Sequence, residues 1–173
     1  MQEGLTFVHP YDDPDVIAGQ GTCSKEFIEQ TDGLDMVVAP IGGGGMISGT
    51  CLTLATLAPE CQVIAAEPEQ ADDAYRSFKA GHIIADDAPK TIADGLLVPL
   101  KDLTWHFVST HVSDILTASE DEIVEAMKLI VETESLTLVQ NKNVRFQVLS
   151  TYAALKMHNT ISLQKHSSLK LSL

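Results

Sequence analysis

Four consecutive glycines, Gly42 to Gly45, separate the apolar run MVVAP from the stretch MISGTCLTLATLA. Glycine has the most conformational freedom to lose on folding, so a run of four implies that something must approach this backbone closely. A glycine-rich turn leading from a buried strand into a helix has the physical properties of a phosphate site. Successive N–H groups and the helix N-terminus point at one anion, and no Cβ keeps it away. The P-loop pattern GxxxxGK[ST] fails, because no lysine follows. The dinucleotide pattern GxGxxG is half met: Gly42 and Gly44 fit, Ile47 stands where the third glycine belongs, and Glu67 could mimic the ribose-binding acid. Gly45 and Gly49 have the spacing of a membrane-helix contact, but no apolar run approaches the roughly 20 residues that a span needs. A tight turn without ligand needs one or two glycines rather than four. The loop is therefore expected to wrap a single phosphate.

Glu67, Asp72 and Asp73 form a second group. On their spacing alone they read as the acidic N-terminus of a helix, which the helix dipole favours. Cys23, Cys51 and Cys61 have no metal-ligand spacing and are expected to be reduced, buried thiols. His9 is a lone histidine beside a short apolar stretch and is given no role.

The elements that would position these groups follow from the pattern. Leu5 to His9 reads as a short strand, and Pro14 opens a helix over PDVIAGQGTCSKEFIEQ, weakened by Gly19 and Gly21. MVVAP (36–40) and QVIAA (62–66) are continuous apolar runs of buried-strand length, and the helix between them is closed by Pro59. Strand, glycine loop, helix and strand make a βαβ unit with parallel strands. A polar helix, QADDAYRSFKAG, ends at Gly81, and residues 82–97 read as loop. VSDILTA (112–118) is a further strand, and Ser119 to Glu122 is a capping box that opens a helix. The fold class is α/β, a parallel twisted sheet with flanking helices.

The chain has 173 residues, enough for one domain with a core, and a formal net charge of −13. Such acidity argues against nucleic acid and anionic membrane as partners. No basic and apolar leader pattern opens the sequence, and a cytoplasmic protein is expected. The charge is uneven. Residues 1–134 hold all 24 acids and six of the 11 bases, a net of −18, whereas residues 135–173 hold five bases and no acid.

VVAPIGGGGMISG resembles the tetraglycine phosphate loop of fold-type II pyridoxal-phosphate enzymes. Four further stretches are similar, in the same order, to the serine racemase and threonine/serine dehydratase family: VHPYDDPDVIAGQGT (8–22), AAEPEQADDAYRS (65–77), TIADGL (91–96) and DILTASEDEI (114–123). The resemblance covers roughly residues 4–134 and corresponds to the second half of a full-length enzyme. It implies the large domain of a tryptophan-synthase-β-like fold, incomplete in this chain. It implies pyridoxal 5′-phosphate held by the amides of Gly42, Gly43, Gly44, Gly45 and Met46, with Gly95 near the cofactor ring. It also implies Mg²⁺ or Ca²⁺ on Glu67, the Ala71 carbonyl and Asp73, hard oxygen donors completed by water. The implied reaction is racemisation or dehydration of serine, threonine or a related hydroxy-amino acid, in a homodimer when the enzyme is intact.

Two departures qualify that expectation. The family's Schiff-base lysine lies in the N-terminal half, in a Ser-Phe-Lys-like context, and Lys25, Lys79, Lys90, Lys101 and Lys128 do not match it. The chain is therefore expected to carry no catalytic residue and to be inactive alone. The alternative is a non-catalytic module that binds a phosphorylated ligand or another subunit. After LIVETESL the family continues with a Glu-Pro-Thr/Ser turn and a Ser-Gly-Gly-Asn strand, and neither is present in residues 135–173. This divides the chain into 1–134, the enzyme-like part, and 135–173, a divergent tail expected to be read out of the family's frame.

Overall fold

A computed structural model describes residues 4, 6–31, 33–85, 88–133 and 171–172. The expected division at 134/135 and the divergent tail, apart from residues 171–172, lie outside them. Three strands form the centre of a parallel sheet: β1 (Met36–Pro40), β2 (Gln62–Pro68) and β3 (Val112–Ala118). Their order is β3-β2-β1, and a two-residue strand, β4 (Leu171–Ser172), pairs with β1 on its other side. β1 meets β2 in the register Val37 to Val63 and Ala39 to Ala65. Residues on both faces of these strands are buried, as continuous Val/Ile/Ala runs require when helices cover a sheet on both sides.

The helices are α1 (Pro14–Gln30), α2 (Gly45–Leu57), α3 (Asp73–Ala80), α4 (Asp102–His111) and α5 (Glu120–Thr133). Asp13 caps α1, its carboxylate accepting from the amides of Asp15 and Val16 at 2.9 and 3.2 Å. Ser119 and Glu122 make the expected capping box of α5, Glu122 Oε2 accepting from the Ser119 amide at 2.9 Å. α1 and α2 cross backbone to backbone. A Cβ at Gly49 would lie 2.5 Å from the amide nitrogen of Gly21, and one at Gly21 would lie 2.9 Å from the Gly49 carbonyl oxygen. Two bonds sit at the crossing: a buried one from Ser24 Oγ to Thr50 Oγ1 at 2.8 Å, and a partly buried one from Thr53 Oγ1 to the Gly21 carbonyl at 2.9 Å. Gly21, read as a weakness of α1, is the point where it can touch α2.

Three expectations are corrected. Residues 6–9 are irregular rather than a strand, with Phe7 81 % exposed and Val8 57 % exposed. Helix α4 was not foreseen. Its buried side is a narrow row, Leu100, Thr104 and Val108, interrupted by polar and aromatic residues. Cys51 and Cys61 are buried as expected, whereas Cys23 is exposed.

Candidate functional site

Both groups singled out in the sequence sit where β1 and β2 end. After Pro40 the chain makes one last sheet bond, from the Ile41 amide to the Ala66 carbonyl at 2.9 Å, and enters the glycine loop. Gly44 takes the left-handed conformation, φ 88°, which glycine alone adopts at no cost, and α2 begins at the next residue. The first amide of this helix with an internal partner is that of Ser48, bonded to the Gly44 carbonyl at 3.0 Å. Among the described residues, none accepts a hydrogen bond from the amides of Gly42, Gly43, Gly44, Gly45 or Met46. These include helix-start donors, which always need a partner from outside the helix.

The loop borders a cavity of about 220 Å³. All six residues expected to hold a cofactor line it: Gly42, Gly43, Gly44, Gly45, Met46 and Gly95. Gly95 belongs to a 3-10 turn, Asp94–Leu96, that packs against Gly42 and also lines the cavity. Pro10, Tyr11, Gln20, Pro40, Leu96 and Val98 complete the lining, and no lysine is among the described residues there. Tyr11 and Gln20 were not assigned from the sequence, although both fall in the stretch 8–22 that carried part of the resemblance.

The four glycines are also required by the protein's own packing. A Cβ at Gly42 would stand 2.9 Å from Cα of Leu96. One at Gly43 would stand 2.5 Å from the Tyr11 ring, and one at Gly45 would stand 2.7 Å from Tyr11 Cβ. One at Gly44 would meet Leu100 and Thr104, both at 2.8 Å. A ligand is thus not needed to explain why no side chain is present, contrary to the expectation that a turn alone could not require four glycines. The amides are open to water or to a ligand in the cavity.

The second group is built differently. Glu67 is 1 % exposed at the end of β2. Its Oε2 accepts from the Ala74 amide at 3.3 Å and its Oε1 accepts from the Tyr75 amide. These are the second and third amides of α3, and Asp72, at the N-cap position, makes no side-chain cap bond. Glu67 therefore caps α3 from seven residues upstream. Burial pushes its carboxyl up to about 9; the Tyr75 amide opposes the rise, and the charges of Asp73 and Asp72 add to it. Asp73 and Ala71 are buried beside it, and Asp72 is paired with Arg76 at 2.7 Å. Among the described residues, no three His, Cys, Asp or Glu side chains are gathered to hold a metal. Glu67 and Asp73 would need the Ala71 carbonyl and water to complete a shell. That donor set suits a hard divalent cation, which would also offset the crowding of carboxylates.

The pyridoxal-phosphate dependent enzyme family matches residues 1–140, and the chain belongs to it. It is 82 % identical over 129 residues to a β-hydroxyaspartate dehydratase of Paracoccus denitrificans, a match that covers 75 % of this chain and 41 % of that protein. The structure superposes on a serine racemase of Dictyostelium discoideum with a TM-score of 0.79 and 41 % identity, covering 89 % of this chain and 47 % of that one. Against a serine racemase of maize the TM-score is 0.82 at 35 % identity, covering 96 % and 50 %. The fold is that of the fold-type II pyridoxal-phosphate enzymes. The chain spans about two-fifths of the length of the curated relatives that it matches. Among the described residues, no helix is long and apolar enough to cross a membrane.

Proposed function

We propose that this chain carries the phosphate-binding half of the cofactor site in a pyridoxal-phosphate enzyme that racemises or dehydrates a small hydroxy-amino acid, forming a keto acid and ammonia in the second case. The observation that supports it most is the run of five amides, Gly42 to Met46, without an acceptor among the described residues and bordering one cavity. The cavity is smaller than the roughly 300–1,000 Å³ of a complete ligand site, which suits the phosphate end of a cofactor. When bound, pyridoxal phosphate supplies an electron sink for a carbanion at the substrate's α carbon. The chain's own residues hold and orient it. Gly42 to Met46 would donate to the phosphate, and Gly95, which lines the same cavity, would lie near the ring. The 82 % identity to a protein named for β-hydroxyaspartate favours hydroxyaspartate over serine and threonine as the substrate.

The reactive lysine is proposed to come from outside this chain, since none lines the cavity among the described residues. The chain alone then binds without turnover, and the homodimer and cytoplasmic setting belong to the intact enzyme. Glu67, the Ala71 carbonyl and Asp73 are proposed to hold Mg²⁺ or Ca²⁺. Residues 135–173 are proposed to be read out of frame. The coding DNA tests this: another frame should restore a Glu-Pro turn and a Ser-Gly-Gly-Asn strand. Addition of pyridoxal phosphate to the full chain tests the main reading. Saturable binding is expected without the imine absorbance at about 420 nm and without a lysine adduct after borohydride reduction, and a specific adduct with turnover would refute inactivity. A reading as a non-catalytic phosphate-binding module is favoured by the lysine-free lining. It is separated by adding the remainder of a related enzyme, which restores turnover only in the first case.

A further inference from the structure

Tyr11 stands 32 residues before Gly43, and the loop is laid against it. Cε2, Cδ2 and Cζ of its ring lie within 2.6 Å of where a Cβ of Gly43 would be, and its own Cβ lies 2.7 Å from that of Gly45. On the loop's other side, Gly44 packs on Leu100 and Thr104 at the start of α4. Glycine peptides are free to rotate, and a phosphate site made of four of them needs something that stops them. Tyrosine is a flat, stiff wall with two rotatable bonds.

The tyrosine is itself anchored. Its hydroxyl donates to the Pro99 carbonyl at 3.1 Å. The next residue, Asp12, accepts from the Thr104 amide at 3.2 Å, so the same strap also caps α4. His9 Nδ1 accepts from the Asp12 amide at 2.9 Å, and its ring meets the Tyr11 ring edge-on at 4.6 Å. Asp13 then opens α1. The glycine loop is thus clamped between a fixed aromatic ring and the N-terminal turn of α4.

We propose that Tyr11 is the positioning residue of the glycine loop: its ring, rather than a ligand, is what demands glycine at 43, its Cβ and backbone demand glycine at 45, and by lying against the loop it holds the amides in the arrangement that receives a phosphate. The inference rests on the phosphate-site reading given above. It adds the group that pre-orders the site, whose benefit is a smaller ordering cost on binding.

The test compares pyridoxal phosphate with pyridoxal on the full chain by fluorescence titration. The ratio of the two dissociation constants isolates the phosphate's share. Tyr11→Ala should lower that ratio about tenfold, while Tyr11→Phe, which keeps the ring and loses only the bond to Pro99, should stay within about threefold of the parent. Gly43→Ala should lower the ratio in the parent chain. In the Tyr11→Ala background it should add little, because the methyl then has space. Should the Tyr11→Ala chain not fold, Tyr11→Leu serves in the same cycle. An unchanged ratio in Tyr11→Ala, whatever happens to its melting temperature, overturns the proposal. So does an undiminished Gly43→Ala penalty beside it, since the ligand would then be what excludes the methyl. A parent chain that binds both compounds equally refutes the phosphate reading itself, and the inference falls with it.

Discussion

Strands β1 and β2 lie side by side and end at the same level, joined by the bond from Ile41 to Ala66, yet they finish in opposite chemistry. Past β1 the chain offers five amides that no described residue accepts from, beside a cavity. Past β2 it offers the carboxylate of Glu67, and both of its oxygens already receive amides of α3. A set of donors with no internal partner is free to receive water or an anion. A carboxylate that already caps a helix has a structural task first, and a cation must bind through the lone pairs that remain. The two ends matched the same family equally well in sequence. Only the hydrogen-bond pattern separates them.

The largest effect should come from Gly44→Ala. Left-handed backbone and contact with Leu100 and Thr104 add, for a loss of about 3 kcal/mol by chemical denaturation. A wild-type stability would break the claim that this loop is fixed by its own packing. Next, Glu67→Ala leaves two α3 amides without their acceptor and should cost about 2 kcal/mol, even with metal chelated. If the loss appears only when Mg²⁺ is present, the capping role is wrong and the two ends are alike in needing a ligand. Added Mg²⁺ should raise the melting temperature of the parent and not that of Asp73→Asn.

A smaller, graded effect is the pH dependence. The Glu67 carboxyl is raised from 4.5 to about 9, mainly by burial, so the metal-free folded chain keeps a proton that the unfolded chain has released. Its contribution to stability is complete below about pH 4.5 and is lost as pH rises towards 9. Denaturation curves across that range should show a shallower fall in Glu67→Gln. The smallest effect is expected for Lys79→Ala. Its pair with Asp114, at 3.2 Å, is about half exposed and should contribute about 0.5 kcal/mol or less.

Much of this was legible in the sequence because it is written in local pattern. Continuous apolar runs marked β1 and β2, the stretch VSDILTA marked β3, and Ser119 with Glu122 marked the start of α5. Gly81, with φ 76°, closed α3 as a C-terminal glycine should. What escaped was tertiary. Phe7 and Val8 look like strand residues, but no neighbouring strand pairs with them among the described residues. The amide of Thr104, at the start of α4, is capped by a side chain 92 residues away, and no window along the chain contains that signal. The Gly21–Gly49 crossing and the Tyr11–Gly43 contact are of the same kind. Each glycine was visible, and its partner was not. For the candidate site, the six cavity-lining glycine and methionine positions were implied by the resemblance of two stretches, the tetraglycine loop and TIADGL, while the ring packed against the loop could be seen only once the chain had folded.

The Tyr11 hydroxyl, beside the cavity, reaches a carbonyl 88 residues further along the chain. The cavity is therefore complete only when the strap, the loop and the turn after residue 90 are all in place. Anything that binds there serves as a gauge of completed assembly. Affinity for pyridoxal phosphate, followed during refolding, would time the last of those three arrivals rather than the first.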